Sequence, residues 1–156
     1  MSSFTTPLKI EFDHAGDEKK PYALLEEFLY YTKIDQPEGA ERLIRIPAGY
    51  RTDFASIPRL FWPVLPPHGP YGKAAVVHDW LCDEQPHSVD HRTAADIFGE
   101  AMDVLHVSKW KRSVMVWSVK HFGPRFAPEL LIHEIKETLQ AMVEVEAGEV
   151  SEYTFG

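Results

Sequence analysis

The stretch AGYRTDFASIPRLFWPVLPPHGPYGKAAVVHDWLC, residues 48–82, decides the fold. It lies where the sequence changes from strand patterns to helix patterns. Between Thr52 and Tyr71 it holds five prolines, at positions 58, 63, 66, 67 and 70, which exclude a long regular element. We expect an ordered loop or a chain of turns in this part. The residues before it carry strand patterns, and the residues after it carry helix patterns.

Residues 8–50 favour short antiparallel strands. KIEF is one candidate, and ERLIRIPAGY alternates apolar and polar residues from Leu43 to Ile46. Residues 22–33 fit two structures, since they alternate imperfectly and also place four apolar residues near a helical period: Leu24, Leu25, Phe28 and Leu29. We predict a strand there, with a helix as the alternative.

Apolar residues at helical spacing predict four helices after the proline-rich stretch: 72–82, 92–105, 109–122 and one that begins near Pro128. Ser88 or Asp90 can cap the second helix, and Gly123-Pro124 ends the third. The last predicted helix repeats apolar side chains at Leu131, Ile135, Leu139 and Met142.

The predicted fold is therefore α+β, in a single domain over residues 1–156. It consists of a small N-terminal antiparallel sheet, a proline-rich loop and three to four packed helices. Residues 8–123 form the core, 124–147 a C-terminal helical extension and 148–156 a loose acidic tail.

Composition and charge exclude several classes of protein. A net charge of −8 argues against broad nucleic-acid binding, which needs a basic surface. The start, MSSFTTPLKIEF, does not resemble a secretory signal, and no apolar run approaches the roughly 20 residues of a transmembrane helix. The single cysteine, Cys82, excludes an internal disulfide and a thiolate-rich zinc site.

The third predicted helix combines positive charge with tryptophan. Basic residues gather on it and just beyond it: Lys109, Lys111, Arg112, Lys120 and Arg125. We interpret them as a solvated helix face, with a surface for phosphates or for an acidic partner as the alternative. The four tryptophans, Trp62, Trp80, Trp110 and Trp117, are predicted to anchor the core and the loops.

The pair His78-Asp79 is the main candidate for chemistry. Adjacent residues on a helix point about 100° apart, so the two side chains serve different faces. If His78 faces the second helix, Asp96 can orient its ring and raise its basicity, as a general base requires. Asp79, together with Asp53, would then face the preceding loop and hold a divalent cation such as calcium.

Other interpretations of these polar residues remain open. His78, Asp79, Arg92 and Asp96 can form a buried network that only fixes the helix pair. A nucleophilic triad of Ser56, His78 and Asp96 is conceivable by residue type, although the Gly-x-Ser-x-Gly turn is absent and Ser56 fits a turn equally well. Asp53 can equally cap a turn or pair with an arginine. There is no His-Glu-x-x-His motif, and His87 and His91, although spaced i,i+4, lie on either side of the predicted cap at Asp90, which argues against a zinc site.

Four segments in this order, IPAGYRTDFASIPR, AVVHDWLC, RTAADIFGEAM and VKHFGP, closely resemble the domain of unknown function 1353 family of tailed phages, prophages and bacteria. The resemblance covers about residues 8–123 and implies a phage origin without implying an activity. Cys82 departs from the aromatic residue that this family commonly has there. The segment after Phe126 lies beyond the resemblance.

KAAVVHDWLC followed by DHRTAADIFGEAM is similar, more distantly, to the helix pair of phospholipase A-two enzymes. That likeness implies water activation by His78, calcium binding by Asp79 and orientation of the histidine by Asp90 or Asp96. The disulfides and the glycine-rich calcium loop of those enzymes are missing, apart from a counterpart at residues 68–72.

The resulting functional prediction is a phage-type virion-associated protein, a tail component that contacts other phage structural proteins or the cell envelope. Its expected location is the virion or the host cytoplasm. The alternative is a metal-assisted hydrolase that cleaves an ester or amide of the cell envelope with the His-Asp site.

Overall fold

Six short strands precede three helices in the part of the chain that the computed structural model describes, which is residues 2–13, 15–16, 18–54, 70–83 and 89–122. The strands are β1 Ser3–Phe4, β2 Ile10–Phe12, β3 Tyr22–Leu24, β4 Phe28–Thr32, β5 Arg42–Ile46 and β6 Arg51–Thr52. The helices are α1 Gly72–Asp83, α2 His91–Val104 and α3 Lys109–Phe122. This order confirms the predicted α+β class.

β4 is the central strand of the first sheet, between β1 and β5. Its side chains alternate, so that Phe28, Tyr30 and Thr32 are buried. In the antiparallel register Phe28 lies opposite Ile46 and Tyr30 opposite Ile44, which gives the sheet one apolar face. The period of two, rather than 3.6, makes 28–32 a strand and excludes the helical alternative.

β3 is the central strand of the second sheet, between β2 and β6, and Tyr22 lies opposite Thr52. The sequence predicted one sheet, whereas the described residues form two. The two sheets are separate because β3 does not pair with β4, the next strand along the chain. Instead the Leu24 N–H donates to the Tyr50 carbonyl, and the Leu24 carbonyl accepts from Gly49. Gly49 has φ +84°, a conformation that favours glycine.

α1 packs against β5 on one side and against α2 on another. It is buried continuously from Ala74 to His78, so most of its circumference is covered. Ala74 and Ala75 on α1, and Ala94 and Ala95 on α2, are fully buried, which lets the two helices pack closely. Apart from Lys73 in the first turn, the polar residues of α1 lie in its C-terminal half.

α2 begins with the predicted aspartate cap. The Asp90 carboxylate accepts a hydrogen bond from the Thr93 N–H at 2.6 Å, which satisfies a backbone donor of the first turn. On its other side α2 approaches α3 at Gly99. A side-chain Cβ at Gly99 would lie 3.0 Å from the Val116 Cγ2, so the missing side chain permits this close contact.

α3 buries a different stripe from the one expected. Its buried residues are Met115, Ser118 and Val119. Trp110 and Trp117, predicted to anchor the core, are 53% and 48% exposed, and that prediction is wrong for both. The helix has two apolar stripes, and the stripe that faces α2 is the one with the smaller side chains.

Several predictions fall outside the described residues. They concern Ser56, Trp62, most of the proline-rich loop, the helix near Pro128 and the acidic tail. Among the described helices, none is long and apolar enough to cross a membrane.

Candidate functional site

The motif residues meet where the second sheet ends against the C-terminal half of α1. β6 ends at Thr52, whose side chain is buried, and its hydroxyl donates a 2.6 Å hydrogen bond to the Asp79 carboxylate. The same hydroxyl accepts from the Phe54 N–H at 3.1 Å. This second bond accompanies a left-handed backbone at Phe54, with φ 56°. Thr52 therefore connects the second sheet to α1. It also fixes the backbone at Phe54, where the proline-rich segment begins.

A second polar group lies one helical turn further along α1. Asp83 forms an ion pair with Lys20 and accepts a hydrogen bond from the Tyr50 hydroxyl at 3.0 Å. The Lys20 ammonium also lies 5.8 Å from the centre of the Tyr50 ring. The turn before β3, the turn before β6 and the end of α1 are connected through this group.

Lys20 brings a positive charge to the end of α1. Burial acts to lower its pKa, but the hydrogen bond and the charge of Asp83 outweigh that effect. Asp79 and Asp53 act in the same direction, and the net result is a raised pKa. The ammonium ion thus pairs with Asp83 and places a positive charge near Asp79 and Asp53, the carboxylates that were predicted to bind a divalent cation.

His78 faces the interior of the fold. Its side chain is 4% exposed, and its ring centre lies 5.1 Å from that of Phe98 on α2. Burial lowers its pKa to about 4, and the charge of Asp83 opposes this only in part. At neutral pH the imidazole is uncharged. This burial is unfavourable for a general base, which must reach substrate and works best with a pKa near the working pH.

Cys82 lies one turn beyond His78, with its Sγ 3.8 Å from Nδ1 and 3.7 Å from Nε2. Burial raises the pKa of Cys82 to about 12, and the charges of Asp79 and Asp83 add to this effect. A neutral thiol beside a neutral imidazole lacks the thiolate–imidazolium character of an activated cysteine nucleophile. The contact is therefore packing rather than an activated pair.

Asp96 does not hold the histidine ring, so the predicted contact between His78 and Asp96 is wrong. The Asp96 carboxylate accepts a 2.6 Å hydrogen bond from Lys120 on α3, and its side chain is 47% exposed. The buried neighbours Ala95 and Ile97 flank it, so Asp96 projects outward from between two core residues. Asp90, the alternative partner in the phospholipase likeness, caps α2.

Asp79 and Asp53, the residues predicted to bind a metal ion, lie on α1 and directly after β6. Asp79 is held by Thr52, and Asp53 is exposed in the segment that follows β6. No group of three or more histidine, cysteine, aspartate or glutamate side chains that could hold a metal ion occurs within residues 2–13, 15–16, 18–54, 70–83 and 89–122. The cation role of Asp79 and Asp53 therefore stays a prediction, as does the catalytic role of His78. Ser56 lies outside the described residues.

Sequence reasoning missed Lys20, Tyr50 and Asp83. A signal was available for Asp83, because it follows Asp79 by four residues and so shares its helix face. No local pattern connects Lys20 to that face, since it lies 63 positions away in the chain.

This geometry defines a small α+β domain with a compensated polar network between sheet and helix. The chain belongs to the family described as "Protein of unknown function (DUF1353)", whose model matches residues 22–119. The resemblance noted from the motifs is thereby confirmed.

Two relatives come from Sinorhizobium fredii (strain NBRC 101917 / NGR234). Uncharacterized protein y4jT is 34% identical over 119 residues, which cover 73% of this chain and 32% of that protein. Uncharacterized protein y4iH is 36% identical over 78 residues, which cover 49% of this chain and 32% of that protein. This chain thus spans about a third of the length of each relative. No solved structure matches it.

Proposed function

We propose that the chain is a non-catalytic structural component of a phage-type virion, a tail component that contacts other virion proteins or the cell envelope. The burial of His78 is the observation that carries the non-catalytic part. A ring that is 4% exposed and neutral at pH 7 supports the fold from within, whereas a hydrolytic base must meet solvent and substrate.

The polar groups around α1 support the same role. Thr52 binds Asp79 of the His-Asp motif, and Lys20 and Tyr50 bind Asp83 one turn further along α1, so both carboxylates are engaged by side chains of the fold. Buried or partly buried polar groups that satisfy one another fix a unique arrangement of the elements that carry them. In this proposal the Thr-Asp and His-Asp motifs brace the fold.

The virion setting is supported by the family resemblance, because that family occurs in tailed phages and prophages. The alternative, a metal-assisted hydrolase of a cell-envelope ester or amide, has no geometric observation in its favour among the described residues. The virion and the host cytoplasm are the proposed locations.

The test is quantitative mass spectrometry of purified particles from the phage or prophage that encodes the chain. We expect the protein at a fixed copy number relative to the tail proteins. Its absence from intact particles would refute the virion role.

A parallel assay addresses the alternative. Wild-type protein and a His78→Ala variant are incubated with phospholipid vesicles and with peptidoglycan, with and without calcium. We expect no turnover by either protein. Wild-type turnover that His78→Ala abolishes, without loss of folding by circular dichroism, would establish the hydrolase instead.

A further inference from the structure

The turn between α2 and α3 presents a small basic and aromatic surface. Three consecutive residues are exposed where α3 begins: Ser108, Lys109 and Trp110. The Trp110 side chain is 53% exposed, and the Lys111 ammonium lies 5.6 Å from the centre of its ring. We call residues 106–111 the α3 tip. Because consecutive side chains project into solvent, the α3 tip is a convex surface rather than a cleft.

Backbone hydrogen bonds hold the α3 tip in place. The His106 N–H donates to the Asp103 carbonyl at 2.9 Å, and the Val107 N–H donates to the Met102 carbonyl at 3.0 Å. His106 has φ 58°, the left-handed conformation that often follows the last turn of a helix. Val107 is buried and anchors the turn in the core. The exposed side chains thus project from a fixed backbone, so a partner does not have to order the chain before it binds.

Positive charge is concentrated in this part of the chain. Five basic residues and no acidic residue occur between Asp103 and Glu129, although the whole chain has a net charge of −8. Arg112 pairs with Asp103 of α2. Lys109 and Lys111 form no ion pair among the residues that the structure describes. Two uncompensated ammonium groups therefore flank the exposed indole.

These residue types favour a lipid surface as the anionic partner. An indole suits the boundary between headgroups and acyl chains, because it is apolar and carries one polar N–H. Lysine side chains beside it can extend along the apolar region and place their ammonium groups at the phosphates. A protein partner would more often enclose the tryptophan in a pocket, with arginine rather than lysine around it.

The net charge of the chain does not oppose this contact. Charges that lie farther from an anionic bilayer than the Debye length, about 8 Å at physiological ionic strength, are largely screened from it. The Asp103 carboxylate, at the edge of the α3 tip, is paired with Arg112. Each lysine close to an anionic surface strengthens binding about fivefold. Attraction from Lys109 and Lys111 therefore outweighs repulsion from the remote carboxylates.

We propose that the α3 tip binds the surface of a bilayer that contains anionic phospholipids. The Trp110 indole lies among the headgroups, at the edge of the acyl region, while Lys109 and Lys111 pair with lipid phosphates. The contact is peripheral and reversible, since one tryptophan buries too little apolar area for permanent insertion. It does not depend on the virion role, because vesicle binding can fail without any change in the composition of purified particles.

Co-sedimentation of the full chain with vesicles tests this proposal. We expect binding to vesicles of mixed phosphatidylcholine and phosphatidylglycerol, and much weaker binding to phosphatidylcholine alone or in high salt. Lys109→Gln/Lys111→Gln should weaken binding to the mixed vesicles about 25-fold, and Trp110→Ala should weaken it about fivefold. Lys9→Gln/Lys33→Gln makes the same change of charge at two exposed lysines near the strands and should bind like wild type.

Brominated lipids measure whether the indole enters the bilayer. Bromine on the acyl chains quenches the fluorescence of tryptophan inside the membrane, and Trp110→Phe should remove most of this quenching. Trp80→Phe changes a partly buried indole of α1 and should retain it. Circular dichroism verifies that each variant is folded.

Three results would overturn the proposal. The first is equal binding to the mixed vesicles by wild type and Lys109→Gln/Lys111→Gln. The second is quenching that Trp110→Phe leaves unchanged. The third is failure of the wild-type chain to bind the mixed vesicles at all. If in that case a poly-glutamate peptide binds and Trp110→Ala weakens its binding, the α3 tip is assigned to an acidic protein partner instead.

Discussion

The enclosed His78 makes the stability of the protein depend on pH in a defined direction. In an unfolded chain the pKa of histidine is about 6.5, whereas burial lowers the pKa of His78 to about 4. Above pH 6.5 the ring is neutral in both states, and its contribution to stability is fully present. As the pH falls below 6.5, the unfolded chain binds a proton that the folded chain does not, so the free energy of unfolding decreases.

The magnitude follows from the two pKa values. Between the two pKa values, the free energy of unfolding decreases by up to about 1.4 kcal/mol for each pH unit. The decrease from pH 7 to pH 5 amounts to about 2 kcal/mol. Other groups titrate in the same range, so the contribution of His78 is the difference between wild type and a variant that cannot bind the proton. His78→Gln is that variant, and its pH dependence should be shallower by about 2 kcal/mol.

Urea unfolding followed by circular dichroism at pH 7 and pH 5 measures this difference. His121→Gln is the matched control, because His121 is an exposed residue of α3, and it should retain the wild-type loss. Parallel losses in wild type and His78→Gln would refute the argument. They would mean that water reaches the ring and would reopen the general-base hypothesis.

Three further predictions concern individual contacts. Thr52→Val removes the hydroxyl that serves Asp79 and Phe54, so it should lower the free energy of unfolding in urea by about 1–3 kcal/mol, while Thr52→Ser should lose much less. Asp96→Ala removes only a half-exposed ion pair with Lys120 and should change stability by less than about 1 kcal/mol at pH 7; a larger loss would indicate an inward role. Gly99→Leu overfills the contact with Val116 and should cost about 1–3 kcal/mol in the same assay, with part of the loss recovered by Val116→Ala.

Local patterns were sufficient to predict the three helices of the described residues. α3 runs from Lys109 to Phe122, as predicted, and α2 begins one residue before the predicted start and uses the Asp90 cap. Caps and apolar periodicity act within a few residues, so they can be recognised without tertiary information. The strand at 28–32 was harder to assign, because its apolar residues also suit a helix until Phe28, Tyr30 and Thr32 are seen to share one face.

Long-range information was necessary for the rest. The sequence does not show that Leu24 bonds to the chain at Gly49 and Tyr50, and this pairing divides the strands into two sheets. Periodicity predicts a helix but does not predict which of two apolar stripes faces the core. The rotation of the helix about its own axis depends on its tertiary contacts. For this reason Trp117 faces outward although it was expected inside.

The same limit affected the candidate site. Asp96 lies between the buried residues Ala95 and Ile97, and a rotation by one position decides whether its carboxylate meets α1 or α3. The Thr-Asp and His-Asp motifs were recognised as belonging together, and Thr52 does bind Asp79. Lys20 pairs with Asp83 beside these motifs, and its place in the sequence gave no indication of this contact.

The low reactivity expected of the Cys82 thiol has a practical consequence for labelling. Burial raises the pKa of the Cys82 thiol to about 12, so Cys82 carries very little thiolate at neutral pH and should react slowly with maleimide dyes. A Ser113→Cys variant would place the one reactive sulfur on an exposed turn of α3, without first removing the native cysteine. A fluorophore attached there would lie beside Val116 and Trp117, which line the same surface groove.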